Sequence, residues 1–123
     1  MINSSELTLE LPFPPSVNTY WKKWRNRMVL SPAGRRYKKL VAGYVLAARA
    51  NRRLVCACDA VIHFFPPDRR RRDQDNFEKG LWDALAEAGV IVDDSQVKNV
   101  RKEWHEPVPG GLTRVTIIPR EGS

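Results

Sequence analysis

The chain has 123 residues, 42% hydrophobic and 28% charged, the balance of an ordinary globular protein with room for one modest core. No apolar run approaches the roughly 18 residues of a membrane span, and the start MINSSELTLELPF lacks the features of a secretory signal, so a cytoplasmic protein without membrane association is expected. Lys and Arg number 21 against 14 Asp and Glu, a net charge of +7 with a pI of about 9.9, which favours an anionic partner and nucleic acid in particular.

Glu6 to Leu11 alternates, placing Leu7, Leu9 and Leu11 on one face of a first strand that the prolines at 12, 14 and 15 end. The segment 16–27 reads as a basic, aromatic loop. No acid occurs between Glu10 and Asp59, while eleven Lys or Arg do, so the first half is a cation and the second carries most of the carboxylates. Trp21 and Trp24, interleaved with Lys22, Lys23, Arg25 and Arg27, are candidates for stacking on DNA.

Ser31-Pro32 has the form of a helix start, with a hydroxyl to cap and a proline where no N–H is needed. Tyr37, Leu40, Val41, Tyr44, Val45 and Ala48 then recur as an apolar stripe flanked by Arg35, Arg36, Lys38 and Lys39. A second strand is expected over 55–65, with Cys56, Cys58, Ala60, Ile62 and Phe64 on one side and His63 on the other. The two cysteines lack further ligands at zinc spacing and read as reduced thiols; His63 and His105 read as structural.

A second helix starts near Asp75 or Asn76, carries Phe77, Leu81, Ala84, Leu85 and Ala88 inward, and stops at Gly89. Trp82, in this helix, and Trp104, in the next strand, read as core or interface. Strands over 97–105 and 112–118 follow, joined by a Gly-punctuated connection of hairpin length. The expected fold is α+β: a single two-layer domain in the order β-α-β-α-β-β. A small mixed sheet packs on two main helices, and residues 1–5 and 120–123 form flexible ends.

The most informative stretch is PPDRRRRDQDNFEK, where carboxylates follow directly on Arg69, Arg70, Arg71 and Arg72. Asp73 and Asp75, two apart at a helix entrance, can converge on one hard cation such as Mg²⁺, which takes oxygen ligands and keeps several waters. Lys79, about one turn later, can return its ammonium to the same place. Asp93 and Asp94 supply a later acidic pair. For either Asp73 or Asp75 alone, helix capping or pairing with Arg72 is the plainer role.

The run PPDRRRRDQDNFEKGLWDALAEAGVIVDD closely resembles the signature of RusA-type Holliday junction resolvases, and LPFPPSVNTYW resembles that family's N-terminal strand and Pro-Pro-Ser-x-Asn turn. The resemblance implies a homodimeric endodeoxyribonuclease that cuts four-way DNA junctions symmetrically, in recombination and repair, with Mg²⁺ or Mn²⁺. It implies Asp73, Asp75 and Asp94 as metal ligands, with Asp93 as the alternative to Asp94, and Lys79 as the essential lysine. DNA contacts fall to Arg69, Arg70, Arg71, Arg72 and Lys79, with Lys22, Lys23, Arg25 and Arg27 from the basic half. A non-catalytic DNA- or RNA-binding module and a nuclease for other branched DNA are the alternatives. The Trp-rich segment and longer N-terminus depart from the family pattern and bear on substrate preference.

Overall fold

The structure is a computed structural model and describes residues 6–120. In chain order it contains β1 (Leu7–Leu11), α1 (Val17–Tyr20), β2 (Trp21–Trp24), β3 (Arg27–Leu30), α2 (Pro32–Ala47), β4 (Cys58–Phe65), α3 (Glu78–Glu87), β5 (Val97–Trp104) and β6 (Leu112–Pro119), with 3₁₀ turns at Gln74–Phe77 and Asp94–Gln96. The expected α+β domain with a small mixed sheet and two main helices is present. None of its helices is long and apolar enough to cross a membrane among the described residues.

The main sheet is four-stranded in the order β1-β6-β4-β5, with β4 and β5 parallel and the other pairs antiparallel. The last two strands are therefore not a hairpin: β5 and β6 lie on either side of β4. Alternate residues Cys58, Ala60, Ile62 and Phe64 make β4 the apolar centre of the sheet. Lys98, Asn99, Arg101 and Lys102 suit β5 to an edge, where charge discourages further pairing.

One face of the sheet joins α2 and α3 in the core, through Leu9, Leu11, Ile62, Phe64, Val115 and Ile117. At about 25 cal/mol per Å², burying side chains of this size is the main stabilising term. The opposite face carries Thr8, Glu10, His63, Glu103 and Arg114, all half-buried or exposed. Trp82 is buried, and Trp104 packs against the core.

Ser31 caps α2 as expected, its hydroxyl accepting the Gly34 N–H at 3.0 Å. The buried face of α2 is narrower than the apolar stripe suggests. Tyr37, Val41 and Val45 are inside, whereas Leu40 and Tyr44 are 52% and 50% exposed. The reason lies at Gly34, where a Cβ would meet the Tyr20 carbonyl oxygen at 2.5 Å, so this row of the helix closes onto α1 and turns the rest outward.

The strand expected from residue 55 begins only at Cys58; Val55 is 78% exposed and Cys56 lies outside the strand. Backbone groups of 54–56 bond elsewhere: the Leu54 N–H donates to Val90 O at 3.0 Å, and the Gln96 amide donates to Leu54 O and Cys56 O at 2.7 and 2.9 Å. Both cysteines are free thiols. Gly89, at φ 87, ends the α3 region as expected.

The segment 16–27 is ordered, not loop. One turn of helix delivers Tyr20 to the core, and β2 and β3 form a hairpin closed by the Trp24–Arg27 pair. Of the expected flexible ends, residues 1–5 and 121–123 lie outside the described residues. Arg120 is tied to Asp59 at 2.8 Å and donates its N–H to Ala57 O at 2.9 Å.

Candidate active site

The loop 66–73 leaves the C-terminal end of β4 and delivers Asp73 as cap of the 3₁₀ turn, its Oδ1 accepting the Asp75 N–H at 3.2 Å. The capping role is thus realised, but pairing with Arg72 is not. Arg72 turns back into its own loop: Nη2 meets Asp68 Oδ1 at 2.9 Å, and Nη1 donates to the carbonyls of Asp68 and Arg70 at 3.0 and 3.1 Å. Its guanidinium also lies over the Phe13 ring, 5.6 Å from the centroid, leaving the side chain 9% exposed.

This clamp fixes the shape of the arginine run. The Arg70 N–H, and then the Arg72 guanidinium, hold the Asp68 carboxyl below its ordinary range. Arg69 pairs with Glu106 at 2.7 Å. Arg70 and Arg71 have no carboxylate partner among the described residues and are exposed. The four arginines therefore divide into a clamp, a tethered residue and two outward cations.

Asp73 stands on the rim of two open cavities. One, of about 420 Å³, is floored by Phe13 and Phe77 and edged by Arg70, Arg71 and Arg72. The other, of about 430 Å³, is bounded by 71–75 and includes both Asp73 and Asp75. A concave surface with exposed carboxylates beside unpaired arginines suits a phosphate bridged to a hydrated cation, since Mg²⁺ commonly takes one or two carboxylates and completes its shell with water and substrate oxygens. On that donor set, Asp73 and Asp75 fit such an ion.

Lys79 and Asp94 are placed differently. The Lys79 ammonium is 3.8 Å from Asp83 and 5.4 Å from the centre of the Trp21 ring, at the base of the β2–β3 hairpin. The lysine beside Asp75 is Lys102 on β5, 3.9 Å from Asp75 Oδ1 and 3.0 Å from Glu78 Oε1. Asp94 opens the turn before β5, separated from Lys102 by about 16 Å of strand. Asp73, Asp75 and Asp94 do not form a group with ligand atoms within 4.8 Å of one another.

Within the acidic pair the roles are distinct. Asp93 is committed to a capping box, accepting the Ser95 N–H at 3.0 Å while Gln96 Oε1 accepts the Asp93 N–H at 2.8 Å; the Ser95 contact holds its carboxyl below the ordinary range. Asp94 is exposed beside it.

Lys22, Lys23, Arg25 and Arg27 project from the hairpin and are exposed. Its two tryptophans differ. Trp24 is 47% exposed, with the Arg25 and Arg27 guanidinium carbons 4.5 and 5.9 Å from its ring centre. Trp21 packs on Tyr20 with centroids 5.1 Å apart. Sequence reasoning missed Lys102 and the Asp68–Arg72 clamp. The i,i+4 spacing of Asp68 and Arg72 was the available signal for the clamp; nothing in β5 marked Lys102.

Carboxylates and outward arginines on one rim of a small basic α+β domain suit the handling of phosphate. The model of the family described as Endodeoxyribonuclease RusA matches residues 12–118, and the chain belongs to that family. It is 34% identical over 123 residues to the "Crossover junction endodeoxyribonuclease rusA" of Enterobacteria phage HK97, covering 95% of this chain and 98% of the relative. To the protein of that name from Escherichia coli (strain K12) it is 37% identical over 110 residues, 89% of this chain and 92% of the relative. To that of Enterobacteria phage 82 it is 37% identical over 109 residues, 89% and 91% respectively.

Proposed function

We propose that this chain is a metal-dependent endodeoxyribonuclease that binds four-way DNA junctions and resolves them by paired phosphodiester hydrolysis, in recombination and repair. The observation that carries the reading is Asp73 and Asp75 on a cavity edged by the outward Arg71, with Arg70 on the adjoining cavity that Asp73 also lines, in a member of a family whose relatives are named crossover junction endodeoxyribonucleases.

Asp73 and Asp75 are the residues that would hold Mg²⁺, with Mn²⁺ able to substitute; the family resemblance names Asp94 as a third ligand, although in this structure the three do not stand within ligand distance of one another. The commitment of Asp93 to its capping box favours Asp94 within that pair. An ion held there would supply Lewis-acid chemistry, the activation of water and the neutralisation of charge on the scissile phosphate. Arg70 and Arg71 hold the flanking backbone phosphates, with Arg69 free to join when its exposed pair with Glu106 exchanges for a phosphate. Lys22, Lys23, Arg25 and Arg27 extend the positive track along the hairpin, where Trp24 offers a ring for an unpaired base. The resemblance names Lys79 as the essential lysine, a point cation for the leaving oxygen, although here its ammonium faces Asp83 and the Trp21 ring and not Asp75.

A homodimer in the cytoplasm suits this task, because a two-fold symmetric junction presents two equivalent cutting points to two equivalent sites. The capping bond of Asp73 is also what a non-catalytic binding module would need, and one panel separates the readings. Labelled four-way junctions, flaps and linear duplexes are incubated with the protein in Mg²⁺, Mn²⁺ or EDTA. Paired symmetric cuts in the four-way junction with either ion, and none in EDTA, are expected. Binding without cutting in every condition supports the module; preferential cutting of flaps supports a different nuclease.

A further inference from the structure

We propose that His63, Glu103 and His105 form a second metal site, for a zinc-type transition-metal dication, on the helix-free face of the sheet. The three side chains come from neighbouring strands. His63 on β4 lies opposite Glu103 on β5, and His105 follows the end of β5, its N–H donating to Phe64 O at 2.9 Å. His63 Nδ1 is 2.7 Å from His105 Nε2, and Glu103 Oε1 is 3.6 and 3.8 Å from these two nitrogens. Among the described residues this is the one group of three His, Cys, Asp or Glu side chains whose ligand atoms all lie within 4.8 Å.

The dimensions and donor types suit such an ion. A tetrahedral ion with bonds of about 2.1 Å keeps its ligands about 3.4 Å apart, so the rings would open by under about 1 Å and the carboxylate close by a few tenths. Two imidazoles and one carboxylate leave a fourth position for water, as in three-ligand zinc sites, and imidazole selects against Mg²⁺ and Ca²⁺. Each neutral ring carries one N–H, so the proton shared between the rings moves to the ring nitrogen facing away from the ion.

Surrounding groups already orient the ligands. Arg101 holds Glu103 Oε2 through its Nε at 2.9 Å, leaving Oε1 directed to the histidines. Phe65 stacks on the His105 ring at 4.6 Å and 14°. Such outer partners fix ligand geometry in built sites. An ion here would join the C-terminal ends of β4 and β5 where the loop 66–73 begins, and His105 lines the same cleft as Arg69, Arg70 and Arg72. The site shares no ligand with Asp73 and Asp75 and uses imidazole where they offer only carboxylate oxygen, and its case does not depend on the nuclease reading.

The test is to titrate metal-free protein with Co²⁺ as an optical probe. One equivalent per chain is expected to give a tetrahedral d–d band that Zn²⁺ abolishes and excess Mg²⁺ does not. Zn²⁺ at a hundredfold excess over Kd should raise Tm by about 10 °C. His105→Asn and Glu103→Gln should each weaken Co²⁺ at least tenfold, whereas Asp73→Asn should leave it unchanged. Imidazole ¹⁵N spectra of the unaltered chain decide the matter even if a variant does not fold: Zn²⁺ must shift His63 Nδ1 and His105 Nε2. Unmoved nitrogens, no Co²⁺ band, or loss of binding in Asp73→Asn alone would overturn the proposal and leave a hydrogen-bonded histidine pair.

Discussion

Lys102 Nζ lies 3.9 Å from Asp75 Oδ1, so the cation nearest this carboxylate comes from an edge strand and not from the helix that follows it. A lysine there compensates charge without metal and opposes a divalent ion at Asp75. Lys102→Met should lower the Mg²⁺ concentration for half-maximal cleavage about two- to fivefold, with stability changed by less than about 1 kcal/mol, as for other solvent-screened pairs. A Mg²⁺ titration of junction cleavage checks this; an unchanged midpoint would separate Lys102 from the metal site.

Tyr20 is the wedge that sets α3 against α2. It is fully buried, and a Cβ built on Gly80 would come 2.5 Å from its ring. Gly80→Ala should overpack this contact by about 1–3 kcal/mol, more than the roughly 1 kcal/mol of helix propensity gained. Gly43→Ala meets nothing within 4 Å and should stabilise by about 0.5–1 kcal/mol. Thermal melts of the two variants should move in opposite directions.

The Asp68–Arg72 clamp is pH dependent. Its carboxyl lies below the unfolded value of about 3.9, so the clamp's contribution is fully present above that pH and is lost as pH falls through the lower folded value. Carboxyl ¹³C titration should give a depressed midpoint that Arg72→Gln raises only partly, because the larger cause, the Arg70 N–H, remains. A midpoint indifferent to Arg72→Gln would mean that the clamp is open in solution.

Salt dependence distinguishes outward arginines from the clamp. Arg71→Ala should reduce the slope of log K against log salt for junction binding by about one and leave Tm unchanged. Arg72→Ala should leave that slope nearly unchanged and lower Tm, since its nearly buried guanidinium holds the loop. Equal melting behaviour of the two variants would contradict this division.

Local signals carried much of the architecture. The Ser31 cap, the alternation of β1 and the Gly89 stop are short-range chemistry and stand where the residues place them, and the alternation of β4 holds from Cys58 onward. The β2–β3 hairpin was illegible because its two-residue turn has Arg25 at φ 56, where a glycine would ordinarily announce the bend. The placement of β5 and β6 on opposite sides of β4 depends on which strand the core needs at its centre, which spacing does not encode. At the site, the aspartates and arginines were legible as a motif. The turning-in of Arg72 and the arrival of Lys102 are contacts decided by tertiary packing, so residue type alone announced neither.

In the proposed function Asp75 serves cleavage and not DNA affinity. The most direct measurement is single-turnover cleavage of a labelled four-way junction by Asp75→Asn in saturating Mg²⁺, beside binding of the same junction in EDTA. Cleavage lowered at least a hundredfold is expected, with binding equal to or tighter than that of the unaltered chain, since a negative charge near phosphate is removed. Cleavage at the original rate with normal binding would contradict it.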